Sequence, residues 1–524
     1  MKKILFYLIF TITTFAHAQY NPEIFANLYT AGSQYDGIRN LNFSTKLNNE
    51  LYFVKQNDYD YDLYVTDGTV SNTRILKNVT QVLNLVAFDN YVYFSFRDDN
   101  NGVEVWKTDG TVGGTIRVGI LGGSGIAAHN FVVVDNKLFF ASGSTDVPYL
   151  NRLYMINAGS NTITLLNANL KDVESITKYN DKVVLHGTEL ETTSITRELY
   201  ISDGTQAGTY LLKDIKPGIA GSDPTYFMFF QNKMYFTAED GTSGRELWVT
   251  DGTSAGTMLF KDLNPGLGDG INELSAGIYN NRMYFKGNNK LWSTDGTPSG
   301  TNLFMDIGIS ASNNFVIVNN KLLFLSSDFP SGSELWSTDG TVANTNRILE
   351  INPGTGSATY ELRQSNAICT DQLFFNADNG GYNIEPWVTD GTAAGTHLIE
   401  DLNPAGASVD YETEYKFLNG NIYFSVKSST GSQLYVMGSC ANLGAETIQN
   451  TAFKIFPNPT KDFLNIETTA EIAKVEIYNT LGQLVNTVAE NQKQIDVNDL
   501  TNGIYFLNIT TTNNQKSVQR FIKE

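Results

Sequence analysis

The chain has 524 residues, 55 of them acidic against 36 basic, for a formal net charge of −19. Such an acidic surface repels phosphate backbones, which argues against nucleic acid as a partner. Only 17% of residues are charged, while 41% are hydrophobic and 12% aromatic, with 45 Gly. That is the balance of many short strands joined by Gly-rich turns around a large core.

The chain begins MKKILFYLIFTITTFAHAQ. Lys2 and Lys3, an apolar run and Ala16-His17-Ala18 form the pattern of a secretory signal peptide over 1–18, with a mature start at Gln19. The apolar run falls short of the roughly 20 residues a membrane span needs. No later stretch qualifies, so the mature chain is expected to hold no transmembrane segment.

From 19 to 440 the sequence repeats with a unit of about four dozen residues, a period in the range of propellers. RELWVTDGTSAGT at 245–257 typifies it. The turn Asp recurs at Asp67, Asp109, Asp203, Asp251, Asp295, Asp339 and Asp390. Asn157 takes its place in one decayed copy, and QLYVMGS at 433–439 closes the array without an Asp. This counts nine units, or eight if the decayed copy is discounted.

An aromatic stands before each turn: Tyr64, Trp106, Tyr154, Tyr200, Trp248, Trp292, Trp336, Trp387 and Tyr435. A residue that fills every unit is read as packing that wedges neighbouring sheets, not as a ligand contact. Each unit reads as four short strands, so the expected fold is all-β, a propeller of four-stranded blades. The ninth unit lacks a fourth strand, and EIFANLYTAGSQYDGIRN near the N-terminus is expected to supply it and lock the ring.

In each TDGT turn the Asp can accept backbone N–H groups two residues on, and the Gly permits positive φ. The turns resemble the Asp-box hairpins of sialidase-type propellers, which are structural. Calcium is the rival ligand there, but one Asp per loop makes a weak hard-cation site. The inter-blade segments KDIKPG, KDLNPG, EINPG and EDLNPAG are read as turns whose Asp side chains cap them.

Asp58, Asp60 and Asp62 alternate like the start of a calcium loop but lack its Gly and distal Glu, so a solvated acidic loop is the competing reading. Glu189 and Glu191 are the pair of acids that could serve a glycosidase. The sequence carries no nucleophile-elbow, zincin, phosphate-loop or dinucleotide fingerprint. No catalytic residue and no cofactor are therefore assigned. Cys369 and Cys440 form one disulfide or remain two thiols.

After a linker at 441–451 the pattern changes over 452–524. FKIFPNPTKDFLNIE, AKVEIYNTLGQLV, LTNGIYFLNITT and the final KSVQRFIKE follow in order. They resemble the C-terminal sorting domain of type IX secretion substrates of Bacteroidota at Pro457, Asn458, Pro459, Gly482, Gly503, Tyr505 and Lys523. Alternating apolar residues indicate a small Ig-like β-sandwich there. The resemblance implies passage through the periplasm to the outer-membrane translocon, then release or attachment to the cell surface. The repeat region resembles the ELWxxDGTxxGT-repeat proteins of such bacteria, a likeness that implies a propeller and no reaction. The expected function is an exported binding protein for a glycan, protein or surface ligand. The alternative is an extracellular polysaccharide hydrolase or lyase.

Overall fold

The computed structural model describes residues 20–438 and 454–524, apart from 27, 29–35, 39–40, 42, 58–59, 80–81, 99–101, 122–126, 144–149, 193, 310–314, 328–331, 364–370, 382, 429–430, 469–470, 480–483, 489–491 and 512–515. Two compact units result, one over 19–438 and one at the C-terminal end.

Blade 5 shows the first unit's local logic. Thr225–Phe230, Lys233–Glu239, Arg245–Thr250 and Met258–Lys261 pair antiparallel in chain order. Its second and third strands are buried almost throughout. A blade sandwiched between two others covers both sheet faces, so these strands read as continuous apolar runs instead of alternating. The first hairpin turns at Gln231 and Asn232, with φ of 49° and 61°. Two left-handed residues match the twist of a two-residue hairpin, and Asn tolerates that conformation best after Gly.

Eight further blades follow the plan over 44–79, 82–120, 129–165, 170–213, 276–309, 316–349, 373–398 and 416–438. The count is nine. The copy bearing Asn157 forms an ordinary four-stranded sheet, blade 3. Among the described residues blade 8 contributes three strands, and blade 9 takes its fourth from the N-terminus. There Glu23–Ala26 runs antiparallel to Gly431–Gly438, Ile24 opposite Tyr435. Asp36–Ile38 then bridges Gly431–Gly438 and blade 1. At this seam Gly37 lies so close to Ser432 that a Cβ would sit 2.6 Å from the Ser432 nitrogen, so only Gly fits.

The recurring aromatic packs backwards onto the preceding blade. Trp248 joins Val184, Leu199 and Ile201 of blade 4. Trp336 joins Tyr279, Tyr284 and Leu291 of blade 6, and Trp387 joins Leu323 and Leu335 of blade 7. Tyr64 of blade 1 packs on Leu418, Tyr423 and Leu434 of blade 9, across the seam. Blades 8 and 9 meet through Tyr415, whose ring lies 5.6 Å from Phe374 and whose hydroxyl donates to Asn376 Oδ1 at 2.7 Å. Each blade thus buries a large ring against its neighbour, about 1.5–3 kcal/mol apiece. The ring closes.

The C-terminal unit is a sandwich of a three-stranded and a four-stranded antiparallel sheet. Leu464, Ile466, Val475, Ile477, Leu507, Ile509 and Phe521 fill the space between them. Among the described residues, no helix is long and apolar enough to cross a membrane.

Candidate functional site

Each TDGT hairpin is closed by its own side chains. Asp251 Oδ1 accepts the Thr253 N–H at 2.9 Å and the Thr253 hydroxyl at 2.7 Å. Thr253 Oγ1 in turn accepts the Gly256 N–H at 2.9 Å, and the Thr250 and Thr257 hydroxyls pair at 2.7 Å. The same Asp-to-Thr pair recurs at Asp67, Asp109, Asp203, Asp295, Asp339 and Asp390. Threonine donors hold the Asp109, Asp203, Asp251, Asp295 and Asp339 carboxyls below their ordinary range. Asn72, then Thr69, does so for Asp67. The hairpins also fasten blades together: Arg74 Nη2 donates to Gly110 O at 2.6 Å, Lys137 Nζ to Asp203 O at 2.8 Å and Asn419 Nδ2 to Asp67 O at 2.6 Å.

The small residue five positions after the Asp has a steric reason. A Cβ at Gly256 would lie 2.1 Å from Asp251 Oδ1, and Gly114, Gly208, Gly300 and Gly395 are as tight. Two hairpins carry Asn there. Asn72 and Asn344 donate Nδ2 to the second oxygens of Asp67 and Asp339, both at 2.6 Å, from short 3-10 turns at Val70–Asn72 and Val342–Asn344. Gly256→Ala should therefore displace Asp251 at a cost of about 1–2 kcal/mol, while Gly256→Asn regains a bond and costs about half as much. Paired thermal melts would refute this if the two variants were equivalent.

A second recurring device escaped the sequence reading. In blades 3, 4, 5, 7 and 8 the residue two positions before the aromatic reaches the segment between blades. Glu198 Oε2 accepts the Ile215 N–H at 2.8 Å and the Ser222 hydroxyl at 2.6 Å, and Oε1 accepts the Ser222 N–H at 2.9 Å. Glu246 takes the Leu263 N–H, Glu334 those of Ile351 and Asn352, and Glu385 those of Leu402 and Ser408. In blade 3 the segment offers carbonyls, and the residue is Arg152, which donates to Ala168 O at 2.6 Å and Leu170 O at 2.8 Å. Asp262 caps its turn as expected, accepting the Asn264 N–H two residues on at 3.1 Å; the buried Glu of the preceding strand makes the longer-range bonds.

Burial pushes Glu246 and Glu334 up to about 7, against backbone donors that pull down, and raises Glu198 and Glu385 as well. With a raised value the folded state binds more protons than the unfolded one between the ordinary 4.5 and about 7. The contribution of these groups to stability is thus full below that window and lost as pH rises through it. The melting temperature should be higher at pH 5 than at pH 7.5, and the double variant Glu246→Gln/Glu334→Gln should flatten the slope. An unchanged slope would refute the assignment. The depressed TDGT carboxylates act in a separate window, losing their contribution only as pH falls through their lowered values.

Asp60 lies exposed and Asp62 buried on the strand Asp60–Thr66, while Asp58 falls outside the described residues. Asp62 occupies the same register as Glu198 and accepts Asn78 Nδ2 at 2.9 Å, so its carboxylate faces a neighbouring strand. Among the described residues no group of three His, Cys, Asp or Glu could hold a metal ion. Cys369 and Cys440 also lie outside the described residues. Glu189 lines a cleft of about 140 Å³ with Glu198, Asp214 and Lys216; Glu191 is exposed and does not line it.

Blades 3 and 4 carry irregular polar residues on their first strands. His129 and Glu174 stand six residues before the hairpin turns at Asp135 and Asn180; the same register holds Leu83, Thr225, Leu274 and Thr413 in other blades. His129 Nε2 lies 3.0 and 3.1 Å from the Glu174 oxygens, and Nδ1 lies 2.8 Å from Ala127 O. Asn130 Nδ2 donates to Glu174 Oε2 at 2.8 Å and Asn151 Nδ2 to Oε1 at 2.5 Å. Nδ1 faces a carbonyl and Nε2 faces the Glu174 carboxylate, with the Asn151 amide nitrogen, a donor, also 3.3 Å from Nε2. Burial lowers the His129 value, but Glu174 and the Ala127 carbonyl outweigh it and the net shift is upward. Burial likewise opposes Glu174, whose net shift is downward through His129.

β-Bulges aim these groups. The ladders slip between His129 and Val132 and on both sides of Glu174, with Asn130 and Ser175 at φ of 52° and 56°. The same slip recurs in blades 2 and 5, where Asn84 and Tyr226 have φ of 58° and 57°, so the bulge belongs to the repeat and only the side chains it carries are particular to blades 3 and 4. Side-chain exposures of 19% for His129 and 33% for Glu174 leave the pair reachable. The arrangement can hold a proton and present a charge-balanced pair flanked by two amides.

In the C-terminal unit, Pro457, Asn458 and Pro459 lie beside the last strand, where Asn458 Oδ1 accepts the Ile522 N–H at 2.9 Å. Thr460 bridges to Lys523, which is buried. Gly503 opens the strand Gly503–Thr511. Tyr505 donates to Thr501 O at 2.8 Å and stacks on Phe521 at 5.6 Å. Gly482 falls outside the described residues.

No curated protein matches the sequence. Among solved structures, the propeller domain of the Trilobed protease from Pyrococcus furiosus is 11% identical, covering 61% of this chain and 100% of its own, at a TM-score of 0.32. PorZ, a bacterial surface component of the type IX secretion system of Porphyromonas gingivalis, is 11% identical over 92% of this chain and 81% of its own, at 0.24. Scores this low add nothing to the fold read from the sheets themselves. Residues 454–524 match the family of secretion system C-terminal sorting domains, and such a tail marks the chain for export by the type IX secretion system, to the cell surface or the medium.

Proposed function

We propose that this is an exported binding protein of the ELWxxDGTxxGT-repeat kind from a member of the Bacteroidota. In this reading 1–18 is a cleaved leader, 19–440 the ring, 441–451 a linker and 452–524 the address read by the translocon. The ring captures an extracellular glycan, protein or surface ligand on its channel wall. One observation carries the reading. The repeated Asp, Thr and Glu side chains are used within the scaffold, whereas His129, Asn130 and Glu174, partly exposed on two innermost strands, break the repeat and converge with the buried Asn151 on the third strand of blade 3.

Binding of the full chain to arrayed glycans and to isolated cell envelopes tests it, beside Glu174→Gln and His129→Gln. Saturable binding that either variant weakens about tenfold, with melting temperature held, supports the reading; wild-type binding by both variants defeats this site. A single paired group in a partly desolvated site is worth about 1.4 kcal/mol or more, hence the tenfold scale. Turnover of a polysaccharide that Glu189→Gln or Glu191→Gln abolishes would instead favour the hydrolase or lyase reading.

A further inference from the structure

Residues on or beside the first strands of blades 5, 6, 7 and 9, with Leu322 of the second strand of blade 7 and two more from the segment leading into blade 8, line one open cavity of about 470 Å³. Side chains from five successive blades can share a space only at the central channel, and the volume falls in the range of small-ligand sites. One wall is apolar: Met228, Ile278, Phe315 and Ile317. Ile278 and Ile317 are 36% and 43% exposed, at the same register in successive blades. The other wall is ionic. Arg363 donates to Glu414 Oε1 at 2.7 Å and to Glu361 Oε2 at 3.0 Å, while Lys416 pairs with the second Glu414 oxygen.

We infer that this cavity binds a neutral oligosaccharide, the apolar C–H face of a sugar ring against Ile278 and Ile317 and its hydroxyls on the Glu361–Arg363–Glu414 wall. The inference rests on the binding reading above and names its ligand class. Charge decides the class. The lining holds two carboxylates and one cation, Arg363, and Lys416, which does not line the cavity but pairs with Glu414, offsets the remaining charge, so neither sign is left for an ionic ligand to pair with. A charged ligand would have to break existing pairs and leave a partly buried charge uncompensated. A wholly apolar ligand would strip water from the three charged groups of the lining and return no hydrogen bond. Hydroxyl groups can donate to carboxylate lone pairs and accept from guanidinium N–H groups without displacing the pairs. The apolar wall meanwhile covers the ring carbons, which water hydrates poorly.

Isothermal titration of the full chain with laminarihexaose, cellohexaose and maltohexaose, beside hexagalacturonate and laurate, tests the assignment. At least one neutral hexasaccharide is expected to bind saturably and at least about tenfold tighter than hexagalacturonate. Ile278→Asp, which puts a carboxylate in the apolar wall, should weaken that binding at least about tenfold, with its melting temperature within 1 °C of wild type, or about 1 kcal/mol for a domain of this size. If Ile278→Asp perturbs folding, Ile278→Ser serves, with the same direction. Preference for hexagalacturonate or laurate, no binding of any neutral hexasaccharide, or undiminished binding by the Ile278 variants would overturn the inference. Binding of envelopes that depends on Glu174 would survive each of those outcomes, so the two readings fail separately.

Discussion

Glu198→Ala is expected to destabilise the propeller by about 3–5 kcal/mol, placing it among the most damaging single substitutions available outside the apolar core. Its carboxylate accepts the N–H groups of Ile215 and Ser222 and the Ser222 hydroxyl, and it approaches the Lys216 N–H at 3.3 Å. Ile215 and Ser222 are buried, so removing the acceptor orphans donors that water reaches poorly. Each orphan costs about 1–3 kcal/mol. In a domain this large the unfolding entropy converts 1 kcal/mol into only about 1 °C, so a fall of about 4 °C is the reading to seek. Glu198→Gln keeps one acceptor oxygen and should fall between. Glu191→Ala, on the exposed loop nearby, should change nothing. A melt of Glu198→Ala within 1 °C of wild type would sink the account of the inter-blade links.

Deleting residues 20–28 should act more strongly and differently, by opening the ring at its seam. The deletion removes the ladder on Gly431–Gly438, the Tyr20 ring against Phe374 at 5.3 Å and the Phe25 ring against Tyr423 at 5.1 Å. Tyr20 and Ala26 are buried and Phe25 is partly so; burial of two aromatic side chains alone stabilises by about 3–6 kcal/mol. It also leaves the Leu434–Val436 part of the Gly431–Gly438 edge unpaired, a template for association between chains, while Gly37 still bridges Ser432. The expected result is a new low-temperature transition, a larger radius of gyration in solution scattering and concentration-dependent association. A synthetic peptide of residues 19–28 added in trans should reverse all three by pairing with the vacant edge. A single transition at the wild-type temperature would show that the seam does not hold the ring.

Much of the architecture was legible because it is written in short-range periodicity. The aromatic before each turn counts blades, since every sheet needs a large ring to fill the wedge to its neighbour, and Tyr64 does this across the seam as Trp336 does within the array. The TDGT bonds are local too. Asp251 and Thr253 are two residues apart, so turn chemistry alone anticipates their contact. The N-terminal strand was inferable because the ninth repeat lacked one.

What the sequence concealed were contacts whose partners lie far along the chain. The Glu of ELW looks like an ordinary polar residue at a strand end, yet Glu198 meets Ser222, 24 positions on, because the link to the next blade folds back over it. Arg152 does the same work with opposite polarity, so no single residue type marks the position. Glu174 meets His129 from 45 positions away. Their convergence depends on bulges in two edge strands, and a bulge reverses which face a side chain takes. By itself, then, the sequence determined the blade, the blade count and the C-terminal address, since each repeats or follows a local pattern. Only the tertiary structure decided which irregular side chains meet, because the packing of one blade on the next, not spacing along the chain, brings His129 to Glu174 and Arg363 to Glu414.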